Sequence, residues 1–469
     1  MIALSPGKPR RWFKYLITAF GRQIIRGMMD VYRLDVENES AAIEQYRAAR
    51  AGKSRFLVAF RHPGDNDPQL AYFTLNSRLN RGLRKAGLPA HQGAIFLAST
   101  EIPLWGGPVV SFALKNAGTI PVSHGALSKS TMDTIMAAVM DSPVPVAIAP
   151  EGQVTYYSHV MPDFDQGTAQ IGLWAQGRLD DRAKRAGTDP VTVNVLPMGV
   201  IYRFPTETWA RLDRFTRDCE NWLGYTLELP AALRKASRKK GHADSGSADV
   251  AELTAHFRRR FATLWSRLAD AAADFYASAY GYDEKTAEEQ GMWPKEAEDP
   301  ARTELRFRAL CEFAMDRAER YYGVTAKGTL RERVMFLRAH SMKMAFSAAP
   351  KGNNRTWLRE RMAERACGDA YWLHRHQELV DLCWYLTAHT VSESETFDRL
   401  VETAQNLTDL AQRLVGGNFG TRRRYFRKAV VIRFGDPIPV SESLALGRRE
   451  AMGAISARIR EGFEALLPR

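Results

Sequence analysis

The segment Phe60-Arg61-His62-Pro63-Gly64-Asp65-Asn66-Asp67 gathers the residue types that proton transfer needs. A histidine can take a proton from a hydroxyl near neutral pH. A carboxylate on its far ring nitrogen fixes the tautomer and stabilises the imidazolium. His62 and Asp67 have four residues between them, a gap that a turn followed by a helix start can close. Pro63 and Gly64 supply the turn, and Asp65 or Asn66 can cap a helix beginning near Pro68. The plainer use of the same polar cluster is the cap alone. A second segment, Ala149-Pro150-Glu151-Gly152, pairs a carboxylate that can hold the hydroxyls of a polyol with a glycine that lets substrate approach the backbone. By itself Pro-Glu-Gly is also an ordinary turn composition.

Both segments directly follow short apolar runs, where α/β proteins place their functional groups. Strands are expected at 55–61, 94–98, 119–123, 144–149 and 191–201. These runs lack strict alternation, as strands buried on both faces do. Helices are expected between them at about 68–87, 128–141 and 166–186. From 206 to 425 no strand is expected, only helical runs at about 249–280, 300–322, 327–346, 355–390 and 393–415. The polar stretch 237–249 reads as a mobile loop. The stripe Phe257, Phe261, Leu264, Trp265 and Leu268 has the spacing of a core-facing helix. A strand at 429–434 and a helix at about 441–466 close the chain. The expected fold class is α/β, a mixed sheet flanked by helices and interrupted by an all-α insertion. The expected units are a surface helix in 1–36, the α/β domain in 37–205 and 426–469, and the insertion in 206–425.

The chain has 469 residues, 45% of them hydrophobic, and a formal charge of +13. That balance points to an anionic partner. Nucleic acid is not expected, because no known binding module appears and much of the excess sits near the N-terminus. Cys219, Cys311, Cys367 and Cys383 stand apart in apolar helical segments and read as buried reduced thiols. No metal-ligand pattern is seen. A metal-dependent hydrolase using His62, Asp65 and Asp67 would need a second ligand cluster. No apolar run is long enough for a transmembrane helix, and no secretory signal is expected.

Residues 10–30 place Trp12, Phe13, Leu16, Ile17, Phe20, Ile24 and Met28 on one helical face and Arg11, Lys14, Arg22 and Arg26 opposite. An aromatic-rich apolar face with a basic polar face is the pattern of a helix lying in an anionic membrane surface. The alternative is a helix packed inward on the protein.

Taken together and in this order, the His-x4-Asp and Pro-Glu-Gly blocks resemble the glycerolipid acyltransferase family, typified by 1-acyl-glycerol-3-phosphate acyltransferases. Gly118-Thr119-Ile120-Pro121-Val122 is similar to that family's second block, and Val195-Leu196-Pro197 to its fourth. Gly167-Thr168-Ala169 and Phe434-Gly435-Asp436-Pro437-Ile438 match lesser features. The resemblance covers about 31–204 and 428–466 and leaves the insertion unexplained. It implies that His62, oriented by Asp67, is a general base on a lysolipid hydroxyl. That hydroxyl would attack an acyl thioester, acyl-CoA or acyl carrier protein, as co-substrate, with no other cofactor. It implies acceptor contacts at Pro150, Glu151, Gly152, His124 and Pro197. His124 stands where the family has an arginine, and Gln153-Val154-Thr155 where it has Thr-Arg, so the acceptor headgroup is left open. The expected location is the cytoplasmic face of a membrane. The competing expectation is a catalytically silent membrane-binding scaffold.

Overall fold

The computed structural model describes residues 7, 9–100, 102–123, 128–162, 165–242, 246–289, 299–345, 357–417 and 422–467. Its strands are β1 (Val31–Glu37), β2 (Ser54–Phe60), β3 (Ile95–Ser99), β4 (Ile120–Val122), β5 (Val146–Ile148), β6 (Thr192–Arg203), β7 (Lys428–Phe434) and β8 (Ile438–Pro439). They form one mixed sheet in the order β1-β7-β6-β2-β5-β3-β4, with β8 beside β6. The strands from β2 to β6 are parallel, β7 and β8 run antiparallel to β6, and β1 is parallel to β7.

β2 sits between β6 and β5, with Ala59 opposite Pro197 on one side and Ile148 on the other. Its side chains alternate between two cores. Phe56, Val58 and Phe60 join the larger one, and Leu57 and Ala59 the other. Burial on both faces is why the run carries no polar alternation. The second core is closed by α6 (Lys129–Asp141), α7 (Gly167–Ala186) and α16 (Arg448–Glu464). On the first face lie α1 (Arg11–Met28) and α2 (Glu39–Arg50), then α3 (Asp67–Phe73), a π-helical turn at Thr74–Arg78 and α4 (Asn80–Lys85). The single helix expected over 68–87 is therefore three pieces.

β1, α2 and α5 (Ile102–Ala117) were not expected. β1 reads VYRLDVE, with half-exposed positions along its length. It is an edge strand, paired on one side only, so it carries polar residues. α5 contains Gly106-Gly107-Pro108, a breaker signal. Gly107 does leave helical geometry (φ 70°), and the helix resumes with Pro108 in its first turn.

The insertion comprises α8 (Trp209–Trp222), α9 (Ala248–Tyr280), α10 (Glu284–Glu289), α11 (Asp299–Tyr322), α12 (Leu330–Ala345), α13 (Trp357–Tyr385), α14 (Ala388–Ser392) and α15 (Phe397–Leu414). Among its described residues the only β pairing is a bridge between Thr208 and Lys240. Within the expected loop 237–249, that bridge and a 3-10 turn at Ala236–Arg238, with Ser237 buried, occupy the first residues, and α9 begins at Ala248. Phe257, Phe261, Leu264, Trp265 and Leu268 are all buried, each contributing about 1.5–3 kcal/mol from surface removed from water. The insertion has no core of its own. Phe426, just before β7, meets Phe204 and Phe215 at ring separations of 6.1 and 4.9 Å, and Trp209 meets Phe397 at 4.9 Å. One apolar cluster runs from the sheet through the insertion.

Candidate active site

β2 and β5 are neighbours in register, so the residues just past their C-terminal ends emerge side by side. This adjacency brings His62 next to Glu151, 89 positions later. The chain turns at Pro63-Gly64, and α3 starts at Asp67 with Pro68 behind it. Neither Asp65 nor Asn66 makes the expected cap. Asn66 has no side-chain bond to the helix and donates instead to Asp65.

Asp67 is fully buried and receives three donors. His62 Nδ1 lies 3.2 Å from its Oδ2, the Gly64 amide donates to the same oxygen at 2.5 Å, and the Tyr202 hydroxyl donates to Oδ1. Three converging donors make the carboxylate the acceptor, so the proton on the imidazole belongs at Nδ1 and the lone pair at Nε2. Nε2 has no protein partner among the described residues, and the ring is partly accessible to solvent. Burial pushes the Asp67 carboxyl up, and the bonds from His62, Tyr202 and Gly64 pull it back only in part. A more basic carboxylate is a better partner for an imidazolium. Tyr202 comes from β6, and its ring fits only because position 64 is glycine. A Cβ there would stand 2.5 Å from the Tyr202 oxygen and 2.7 Å from a ring carbon.

Glu151 is also fully buried. Its Oε1 pairs with the buried Arg61 guanidinium, and its Oε2 accepts the His62 amide at 2.9 Å and the Thr155 hydroxyl at 3.3 Å. Arg61 also donates to the carbonyls of Tyr157 and Val160 at 3.2 and 2.8 Å, and the Thr155 amide to the His62 carbonyl at 2.9 Å. Glu151 therefore faces inward. Its oxygens hold the Arg61 side chain and the backbone of His62 instead of standing open to an acceptor. A carboxylate this buried persists only with such partners.

The remaining expected acceptor contacts are dispersed. Pro150 is buried, and its carbonyl accepts the Asp165 amide at 2.8 Å. Gly152 is half-buried beside Asp165 with φ +70°, which glycine adopts without strain. Pro197 is buried in β6. Its ring lies against Gly435 and Gly462, where a Cβ would be 3.3 and 2.9 Å from it, and its missing N–H falls where β6 passes from pairing β8 to pairing β7. His124 lies outside the described residues.

The insertion fastens the loop that follows Glu151. Arg331 of α12 donates to the Glu151 carbonyl at 2.7 Å, and Gln153 donates to the Tyr385 hydroxyl of α13 at 2.8 Å. From α15, Glu402 bonds the Ser158 hydroxyl at 2.6 Å, and Asn406 donates to the Tyr156 carbonyl at 3.3 Å. Burial pushes the Glu402 carboxyl up to about 8. Arg61, Tyr202 and Glu402 were absent from the sequence-based site. Arg61 had a signal, a charged residue directly after the apolar run 56–60 of β2. Tyr202 and Glu402 had none, since what marks them is pairing across more than 130 residues.

α1 is split between two roles. Phe13, Gly21 and Ile25 are buried, with Gly21 against Phe73 and Ile17 packed on the same core. Trp12, Phe20 and Met28 are 49%, 57% and 59% exposed, and Val109 and Phe112 of α5 are 71% and 57% exposed. The Trp12 and Phe112 rings are 6.3 Å apart, so the two helices present one apolar surface. Lys14 turns inward, to the carbonyls of His91 and Gln92. The expected apolar face thus divides into a packed stripe and an open one. Among the described residues no helix is long and apolar enough to cross a membrane, and no group of His, Cys, Asp and Glu could hold a metal ion. Cys219 and Cys311 are buried, and Cys367 and Cys383 are only half-buried.

Compared with family models and with curated proteins, the chain matches none.

Proposed function

We propose that the protein is a membrane-surface acyltransferase that carries a fatty acyl group from a thioester to a lysolipid hydroxyl, in the manner of glycerolipid acyltransferases. The observation that carries the reading is the histidine with Nδ1 held by a buried, three-donor carboxylate and Nε2 without a protein partner among the described residues. That is the arrangement of a general base.

In the proposed reaction, Nε2 of His62 takes the acceptor's hydroxyl proton as its oxygen bonds to the thioester carbonyl carbon. Asp67 stabilises the imidazolium. The tetrahedral intermediate collapses with cleavage of the carbon–sulfur bond, and the thiolate leaves with the proton returned from His62. An ester and a free thiol result, and no acyl-enzyme forms. The thioester is acyl-CoA or acyl carrier protein. The open stripe of α1 with Val109 and Phe112 would enter the acyl boundary of an anionic membrane, with Arg11, Arg22 and Arg26 near its headgroups. Such a protein would sit on one membrane face, the cytoplasmic one, as a peripheral or monotopic enzyme.

The test is transfer of labelled acyl groups from acyl-CoA and from acyl carrier protein to a panel of lysolipids. Ester product with the wild type that vanishes in His62→Ala supports the reading. One observation favours the alternative of a catalytically silent scaffold: Glu151 is spent on structure, which leaves it no direct role toward an acceptor. Membrane binding unchanged in His62→Ala, with no product from either protein, would establish the scaffold.

A further inference from the structure

A small cavity opens on the far side of the catalytic turn. It is bounded by Gly64 and Asp65, by the Tyr202 ring, and by Arg422, Arg424 and Lys428 from the segment that leads into β7. His62 does not line it. Its volume is about 50 Å³, room for about four waters by the same measure, which is close to the size of one tetrahedral oxyanion.

The cations around it are unequally paired with carboxylates. Each arginine has a carboxylate. Arg422 bonds Asp409 at 3.0 Å and lies over the Tyr156 ring, Arg423, also on the wall, bonds Asp218 at 2.7 Å, and Arg424 is 3.4 Å from Asp65. Lys428 has none within 4 Å among the described residues. Its ammonium rests 4.4 Å over the centre of the Tyr202 ring, a contact that offsets only part of the desolvation of a cation. The other carboxyl on the cavity wall is Glu402, which burial holds protonated up to about pH 8, so it supplies no compensating charge at neutral pH. Burial disfavours the charged form of Lys428, while the fields of Asp65 and Asp67 favour it, and an anion filling the donors of this side chain in a space of this size would hold it as an ammonium, a role that suits a phosphate. Arg424 also donates to the Met28 carbonyl at the end of α1. The cavity therefore adjoins the helix assigned above to the membrane surface.

We propose that this cavity binds a phosphate group, with Lys428 and Arg424 as its principal donors. The inference rests on the acyltransferase reading only for the identity of the phosphate, which belongs either to the acceptor's headgroup or to the thioester donor.

The experiment measures binding of inorganic phosphate and of glycerol 3-phosphate to the full chain by calorimetry, for the wild type, Lys428→Met and Arg424→Gln. Saturable binding is expected, weakened about tenfold or more in Lys428→Met, the loss of one charge-assisted hydrogen bond. Arg424→Gln alters an exposed guanidinium and shows the same direction even if Lys428→Met folds poorly. Absence of saturable binding in the wild type, or binding by both variants as tight as the wild type's, overturns the proposal. Transfer assays then assign the source. A raised KM for phosphorylated lysolipids but not for a neutral monoacylglycerol identifies the headgroup, and a raised KM for the thioester with every acceptor identifies the donor. Phosphate binding that survives while no acyl transfer occurs would sink the enzyme reading and leave the cavity standing. Acyl transfer without phosphate binding would do the reverse.

Discussion

The Tyr202 hydroxyl donates to Oδ1 of Asp67, whose other oxygen takes His62 and the Gly64 amide, although Tyr202 and Asp67 are 135 positions apart. The bond ties β6 to the start of α3 through a fully buried carboxylate. It makes Tyr202 a positioning residue for His62, acting through Asp67.

Replacing Tyr202 with Phe keeps the ring and removes the donor. One buried carboxylate oxygen is left unsatisfied, at a cost of about 1–3 kcal/mol in stability. The Tyr202 bond lowers the Asp67 pKa, so its loss raises that pKa further and moves the acidic limb of the kcat/KM profile to higher pH. Gly64→Ala, which collides with Tyr202, is expected to give the same shift with a larger fall in kcat. A pH–rate profile for each variant checks this, and an unmoved acidic limb in Tyr202→Phe would refute the positioning role.

Glu151→Gln strips the buried Arg61 of its counter-charge. Breaking one side of a buried pair costs about 3–5 kcal/mol, so the midpoint of urea unfolding should fall sharply. Arg61→Met combined with Glu151→Gln should recover part of the loss. A Glu151→Gln protein of wild-type stability but raised acceptor KM would instead show that Glu151 binds the acceptor.

Glu402 carries a pH dependence of stability with a definite sign. Its folded pKa, about 8, lies above the ordinary carboxyl value of 4.5. The native state therefore holds a proton that the unfolded chain has lost, and stability falls as pH rises between those values, by about 1.4 kcal/mol per unit. The contribution is complete below about pH 4.5 and gone above about pH 8. Unfolding free energies measured from pH 5 to 8 should decline less steeply in Glu402→Gln than in the wild type.

The two stripes of α1 should separate in experiment. The triple change Trp12→Ser, Leu16→Ser and Phe20→Ser alters exposed residues, so Tm should hold. Affinity for anionic vesicles should drop on the order of 100-fold or more, since about half of each side chain is left to bury and full burial of a large apolar side chain is worth about 1.5–3 kcal/mol. Phe13→Ala acts on the packed stripe and should cost about 3 kcal/mol of stability. Co-sedimentation with vesicles and thermal unfolding separate the outcomes, and equal vesicle binding by the triple variant would show that α1 does not dock.

The α/β class of the fold and the closeness of His62 to Asp67 were legible in the chain. The apolar runs of β2, β5 and β6 marked themselves because strand residues buried on both faces are mostly apolar, and the local turn Pro63-Gly64 announced that His62 and Asp67 could meet. The helices of the insertion were legible by their stripes, and one face of α1 by its aromatic residues. Tertiary structure decided the rest. That Glu151 faces inward to Arg61 and not outward to a ligand depends on β2 and β5 being neighbours, which no local pattern encodes. Tyr202, Glu402 and the cavity beside Lys428 exist only through contacts between distant segments, and a side chain carries no mark of a partner more than a hundred residues away. The edge strand β1 escaped because one-sided pairing relaxes the demand for apolar residues. The division of α1 into packed and open stripes was settled by the neighbours that cover it, since both stripes are equally hydrophobic in the sequence.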